Sequence, residues 1–343
     1  MTALSAMARA RTAWRLRWAR RRLLLRAVLA GRGLVSITDR TGSIAPGHIL
    51  LAATLRNEAL RLPHFLEHYR RLGVDHFLLI DNASTDGSVD LLRGQPDVTL
   101  WTAGASYRGA RFGLDWTNAV LMRHAHGHWT LTVDADELLV YPYWETRDLH
   151  ALTHWLERTD RTAFGAMMLD LYPKGGLDDA VYRQGEDPTF VLNWFDRGNY
   201  SISIQAPMEN LWIQGGVRAR ALLAGTPRLA PTLNKVPLVK WHWRYAYVNS
   251  THSLLPRHLN RVYATDGGEV TSGLLLHTKF LPDVAAKSAE EITRRQHFAR
   301  PDAYRGYHDR VASNPVLWTG TSTALGGWRQ LEALGLMSRG GWV

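Results

Sequence analysis

The 343-residue chain contains no cysteine, which excludes a disulfide-stapled module, a thiolate metal site and a cysteine nucleophile. Its arginine-rich N-terminal segment has no long apolar run. The longest there are Leu23–Leu25 and Ala27–Ala30, parted by Arg26, against the roughly 20 apolar residues that a membrane span needs. An arginine also interrupts any signal-peptide core, and no small-residue cleavage site follows. Acids are nearly missing from residues 1–40, where ten arginines face Asp39 alone, while the remainder of the chain holds 31 bases and 30 acids. The net charge of +10 therefore belongs to a tail, and the body is close to neutral. A composition of 45% hydrophobic and 21% charged residues excludes disorder of the whole chain, and the length suits one large domain or two smaller ones. No internal repeat is visible.

Between Arg9 and Arg32 the arginines alternate with apolar residues, with no proline and no glycine before Gly31, which predicts a helix. Trp14, Trp18, Leu25 and Leu29 fall near one stripe at helical spacing, and Arg15, Arg22 and Arg26 fall on another. This pattern suits an anionic membrane surface, with Arg at phosphate level and Trp at the interface. It predicts attachment through residues 9–32 to the inner face of the cell membrane, and a cytoplasmic location. A helix packed on its own domain, an organelle leader and a nucleic-acid arm are the competing readings.

After the turn-rich residues 41–47 the chain alternates strands and helices. Residues 49–55 form an apolar run of strand length, and a helix follows with Leu62, Phe65, Leu66, Tyr69 and Leu72 on one face. Strands at 76–80, 98–102 and 129–133 follow, interleaved with helices at 88–93 and 109–126. The alternation predicts an α/β fold with a mostly parallel sheet covered by helices on both faces, in which ligands bind beyond the carboxyl ends of the strands. Strands are also expected at 163–172, 190–195, 236–243 and 274–280, and a helix carrying Glu290, Glu291, Arg294 and Arg295 from residue 285. The expected divisions are a basic segment at 1–43, two halves of the catalytic body at 44–160 and 161–285, and an extension at 286–343.

Asp134 and Asp136 follow the last strand of the first half. On a strand the period of two puts both carboxylates on one face, and hard oxygen ligands so close together suit Mg²⁺ or Mn²⁺ joined to substrate phosphates. Three runs then stand in order: Thr54-Leu55-Arg56-Asn57-Glu58, Asp81-Asn82-Ala83-Ser84-Thr85-Asp86-Gly87-Ser88 and Asp134-Ala135-Asp136-Glu137. Together they resemble the nucleotide-sugar half of family 2 glycosyltransferases of the GT-A fold, most closely the bacterial subgroup with "RNE" after the first strand and "HxK" near the end. The similarity is specific over residues 46–140 and thin to about 285.

The resemblance implies a metal-dependent transfer of a sugar from a nucleotide-diphosphate donor to a carbohydrate or lipid-linked acceptor, with inversion. It implies donor contacts from Thr54, Arg56, Asn57, Glu58, Asp81, Asn82 and Arg111, with Mn²⁺ or Mg²⁺ held by Asp134, Asp136 and His277. It also implies neutralisation of the leaving phosphate by Lys279. The family's usual second Asp after the second strand is Asn82 here. An inverting reaction needs a carboxylate base; the candidates are Asp170, Asp178, Asp187 and Glu209, with Glu209 preferred. Trp194, Trp241, Trp243 and Tyr245 are candidates for a sugar-stacking platform. Two rival functions remain: a metal hydrolase built on His124, His126 and His128 with Asp134 and Asp136, and a nucleic-acid binder using the tail. Against the second, the neutral body carries no basic patch, so nucleic acid is not expected as a partner.

Overall fold

Uninterrupted runs of Leu, Ile, Val and Ala are stable as strands only when both faces are covered. The computed structural model describes residues 6–264, 269–288 and 305–343 and builds its main sheet from these runs. In chain order the strands are β1 (Leu34–Thr38), β2 (Leu50–Leu55), β3 (His76–Asp81), β4 (Val98–Ala103), β5 (Trp129–Thr132), β6 (Glu137–Val140), β7 (Ala163–Asp170), β8 (Trp194–Phe195), β9 (Ser201–Gln205), β10 (Asn210–Gln214), β11 (Asn234–Lys240), β12 (Ala246–Tyr247), β13 (Leu254–Leu255), β14 (Ser272–His277) and β15 (Thr323–Ala324). Nine form one sheet in the order β1-β4-β3-β2-β5-β11-β7-β14-β6. Of these, β4, β3, β2, β5, β7 and β14 run one way, and β1, β11 and β6 run against them.

The helices are α1 (Ala6–Gly31), α2 (Leu62–Arg71), α3 (Ser88–Arg93), α4 (Leu114–His124), α5 (Leu149–Arg158), α6 (Arg305–Ala312) and α7 (Trp328–Ala333). Alternate residues of the central strands serve opposite faces. Leu51, Ala53, Phe77 and Leu79 pack with Leu62, Phe65, Leu66 and Tyr69 of α2 and Leu149, Leu152 and Leu156 of α5. Leu50, Ala52, Leu78 and Ile80 pack with Leu114, Trp116, Val120 and Leu121 of α4. Each fully buried side chain of this kind contributes about 1.5–3 kcal/mol. The result is an α/β architecture with helices on both faces of a mostly parallel sheet.

The N-terminal segment is a helix laid on the body. Ala27 is fully buried, and Gly31 comes so close to Ala119 of α4 that a Cβ on it would lie 3.0 Å from the Ala119 Cβ. After α1 the chain adds β1 antiparallel to β4, an edge strand not expected from the sequence. The C-terminal residues are no appendage. Leu317, Trp328 and Leu331 are buried in the core of the second half, and Trp342 inserts beside Tyr141, Tyr143 and Trp155.

Several boundaries differ from expectation. The helix expected over 109–126 starts at Leu114, because Arg111, Phe112 and Gly113 are left-handed in succession, with φ of 54°, 60° and 76°. Only Trp194 and Phe195 of 190–195 are strand; Asp187 instead caps a 3₁₀ turn over residues 188–190. The strand before the acidic pair stops at Thr132, and Glu137 opens a separate strand at the far edge of the sheet. Asp134 and Asp136 therefore occupy a turn, where strand periodicity does not govern them. Glu290, Glu291, Arg294 and Arg295 lie outside the described residues.

Candidate active site

A cavity of about 730 Å³ opens at the carboxyl ends of β2, β3 and β5 and continues under β10 and β14. Its floor is built by two loops that hold each other. Asn57, left-handed at φ 52°, accepts from the Thr85 backbone N–H at 2.8 Å and donates its own N–H to the Ser84 hydroxyl at 2.9 Å. The Glu58 N–H donates to the Ser88 hydroxyl at 3.0 Å, and the Ala59 N–H to Asp86 at 2.9 Å. Arg56 donates to the Asn82 carbonyl at 2.7 Å, and the Asn82 amide donates to the Ala103 carbonyl at 2.9 Å. Most polar residues of the first two motifs thus satisfy one another's backbone and leave Thr54, Arg56, Asn57, Glu58 and Asn82 on the cavity wall. Asp81 does not line the cavity; it is buried and accepts from the Ser84 N–H at 3.1 Å.

The adjoining wall is the loop before α4, with Tyr107, Arg111 and Phe112. Gly113 is left-handed, and a Cβ there would come 2.9 Å from Thr54 Cγ2, so only glycine lets this loop settle on the end of β2. Arg111 reaches the Val248 carbonyl and pairs with Asp115 at 3.2 Å. The other oxygen of Asp115 takes Arg26 of α1 at 2.6 Å. The N-terminal helix is thereby clamped to a loop of the cavity.

Asp134, Asp136, His277 and Lys279 share the opposite wall. Asp134 is 56% exposed and receives Lys235 Nζ at 3.0 Å. Lys235 is buried and also bonds Glu137, which is fully buried. Burial pushes the Glu137 carboxyl up to about 7, against the pull of Lys235. Lys235 stays charged, since two carboxylates outweigh its own desolvation.

His277 bridges two acids, with Nε2 3.1 Å from Asp136 Oδ2 and Nδ1 2.6 Å from Asp170 Oδ1. Arg218 Nε holds the other Asp170 oxygen at 2.7 Å. Burial alone would raise the Asp136 carboxyl, but His277, Lys279 and Arg61 hold it well below the usual range. Burial would lower His277, and the two carboxylates raise it instead. Asp170, opposed by burial but held by Arg218 and His277, lies at about 2.

The remaining wall comes from the second half: Trp212 and Gln214 of β10, Arg228 to Thr232, and Asn249, Ser250 and His252. Among the described residues of 161–285, no carboxylate lines the cavity. The carboxylate base expected there is therefore not brought to the site. Asp170 is occupied by His277 and Arg218; Asp178 and Asp187 lie off the cavity, and Asp187 caps its own turn. Glu209 sits in the turn between β9 and β10, held by Arg257 at 2.9 Å and Arg261 at 2.6 Å. Among the described residues the cavity's acids are Glu58, Asp134, Asp136 and Glu137, all from the first half.

The expected stacking platform does not form either. Trp241 is in the core, Trp243 is exposed outside the cavity, and Trp194 and Tyr245 are also off its wall. Trp212, which the sequence reading passed over, is the tryptophan that lines it. The histidines at 124, 126 and 128 point to different neighbours: His124 stacks on Trp101, His126 meets the His242 ring, and His128 bonds the His48 carbonyl. They form no metal cluster. Lys235, Arg218 and Arg61 were also missed; the available signal was a charged residue inside or beside an apolar run, which burial forces into a pair.

No protein-family model matches the chain, and no curated protein matches it by sequence. Solved structures do align with it. A mannosyltransferase from Pyrobaculum calidifontis, solved with GDP-Man and Mn²⁺, is 22% identical over 46% of this chain and 46% of its own, with a TM-score of 0.27. The chain thus spans under half of that enzyme. A putative glucose-1-phosphate thymidylyltransferase from Bacillus anthracis is 11% identical over 77% of this chain and 83% of its own, with a TM-score of 0.30. HddC from Yersinia pseudotuberculosis is 9% identical over 71% and 98%, with a TM-score of 0.31. Scores this low assign neither family nor activity, which rest on the residues of the cavity.

Proposed function

We propose that the chain is a metal-dependent glycosyltransferase that binds a nucleotide-diphosphate sugar at the ends of β2, β3 and β5 and passes the sugar to a hydroxyl acceptor. The observation that carries this reading is the meeting of three strand-end segments on one cavity, with Asp134 and Asp136 on the same wall as Lys279 and His277. The base and ribose fit against Thr54, Asn57, Asn82 and the loop of Tyr107 and Arg111. The diphosphate lies toward Asp134, Asp136 and Lys279.

The donor set suits a hard divalent ion. Asp136 is ionised, and Asp134 opens to the cavity, so both offer anionic oxygens to Mn²⁺ or Mg²⁺ shared with the substrate's phosphates. Among the described residues no group of three or more acids and histidines is gathered to hold an ion, so Asp134, Asp136 and His277 do not form the expected three-ligand site. When bound, the ion supplies charge stabilisation for the departing diphosphate. The chain's own residues do the rest: Lys279 lies on the wall to meet that negative charge. Lys235 and the Arg218–Asp170–His277 chain fix the acidic turn. Trp212, Gln214 and Arg228 form the wall left for the acceptor.

A panel of nucleotide sugars with and without Mn²⁺ tests the reading. Sugar-dependent release of a nucleoside diphosphate that needs the ion and an acceptor supports it. Inorganic phosphate release points to hydrolysis, and pyrophosphate release from a nucleoside triphosphate with a sugar phosphate points to nucleotidyl transfer; either outcome replaces it.

A further inference from the structure

The N-terminal helix is apolar on two opposite faces. Its inner stripe, Thr12, Leu16, Ala19, Leu23, Ala27 and Ala30, is at least half-buried and follows the 3.6-residue period along the body. The outer stripe is the one predicted from the sequence: Trp14 is 62% exposed, Trp18 44%, and Leu25 and Leu29 are also exposed. Packing on α4 has therefore not consumed it. Arginines flank this stripe on both sides, Arg17 and Arg21 along one edge and Arg15 and Arg22 along the other.

Of the eight arginines in α1, only Arg26 has a carboxylate partner, Asp115, among the described residues. A second exposed aromatic and basic pair lies in the loop after β11. Trp243, 42% exposed, carries Arg244 over its ring at 4.5 Å. Burial and the like charges of Arg17, Arg244 and Arg21 depress the Arg20 guanidinium, so the loop after β11 and the helix crowd positive charge together. Exposed tryptophan and leucine bordered by unpaired arginine match one occupant in both polarity and charge.

We propose that the outer face of α1, joined by Trp243 and Arg244, docks on an anionic lipid bilayer, with the tryptophans at the interface and the arginines at the phosphates. No helix among the described residues is long and apolar enough to cross a membrane, so the chain would lie on the surface. The Arg26–Asp115–Arg111 bridge joins the helix to the cavity loop. The proposal is independent of what the cavity transfers.

The test is co-sedimentation of the full chain with vesicles of phosphatidylcholine alone and with one third phosphatidylglycerol. Binding is expected to the anionic vesicles only and to weaken with salt. Each surface arginine contributes about fivefold, so Arg15→Ser, Arg21→Ser and Arg22→Ser together lower the affinity by on the order of a hundredfold. Trp14→Ser with Trp18→Ser lowers it by at least about tenfold; each tryptophan loses apolar contact with the interface. All five side chains project outward, so the variants keep the wild-type melting temperature. Equal binding to neutral vesicles, no binding to anionic ones, or unchanged binding by the tryptophan variant overturns the proposal. So does tighter binding to duplex DNA than to vesicles with no effect of the tryptophans, which makes the helix a nucleic-acid arm.

Discussion

Replacing Lys235 by methionine tests the electrostatic core of the site. Lys235 pairs with both Asp134 and Glu137, and it is buried with Glu137. Asp134 can turn to solvent when the ammonium is lost, whereas Glu137 is fully buried and keeps only the Asp134 N–H at 3.2 Å. Removing one partner of a buried pair costs about 3–5 kcal/mol. A chain of 343 residues melts with an entropy of roughly 0.7 kcal/mol per kelvin, from about 2.1 cal/mol/K per residue. The expected fall in Tm is therefore about 4–7 °C at pH 7.5. Differential scanning calorimetry of four proteins reads it: wild type, Lys235→Met, Glu137→Gln and the double variant. The double variant should recover most of the loss, because a neutral amide leaves no uncompensated buried charge. A Lys235→Met protein melting within about 1 °C of wild type, or a double variant no better than the single, would refute the pairing.

Three further outcomes are expected. Gly113→Ala places a Cβ against Thr54 at a positive φ; backbone strain there is worth about 1–3 kcal/mol, and calorimetry should show that loss together with weaker nucleotide binding by titration. His277 titrates above its ordinary value in the fold, so its stabilisation is present below pH 6.5 and fades as pH rises through the raised value. In chelator-treated protein, Tm should decline over that range, and His277→Gln should flatten the slope whatever its absolute Tm. Asp170 behaves oppositely, since its carboxyl is depressed to about 2. Its contribution is present above about pH 4 and lost between there and pH 2, so Asp170→Asn should remove part of the acid-induced fall in Tm.

Much of the first half was legible because burial on both faces writes itself as an unbroken apolar run. β2, β3, β4 and β5 were placed within a residue or two, and polar residues at their ends marked the cavity. What failed has physical reasons. The left-handed turn of Arg111, Phe112 and Gly113 is set by the approach of Gly113 to Thr54 and of Arg111 to Val248, distant in sequence, so the helix start was misjudged. β6 belongs to β14, 130 residues on, and no local signal separates it from the strand before it. Glu209 looked accessible because it lies in a loop, yet its carboxylate is taken by Arg257 and Arg261 from another segment. Lys235 went unnoticed because one lysine beside a valine-rich strand reads as a strand end, and only the fold brings Glu137 to it. The tail was read with membrane binding and packing on the body as rivals; two opposed apolar faces let one helix be packed and exposed at once.

The most direct measurement of the central claim is titration calorimetry of a nucleoside diphosphate into the protein with Mn²⁺, comparing wild type with Asp134→Asn and Asp136→Asn. The account predicts that UDP or GDP binds the wild type only when the ion is present, and that each variant binds at least about tenfold more weakly while keeping the wild-type fold by circular dichroism. Binding that ignores the ion, or that survives both substitutions at wild-type strength, contradicts it.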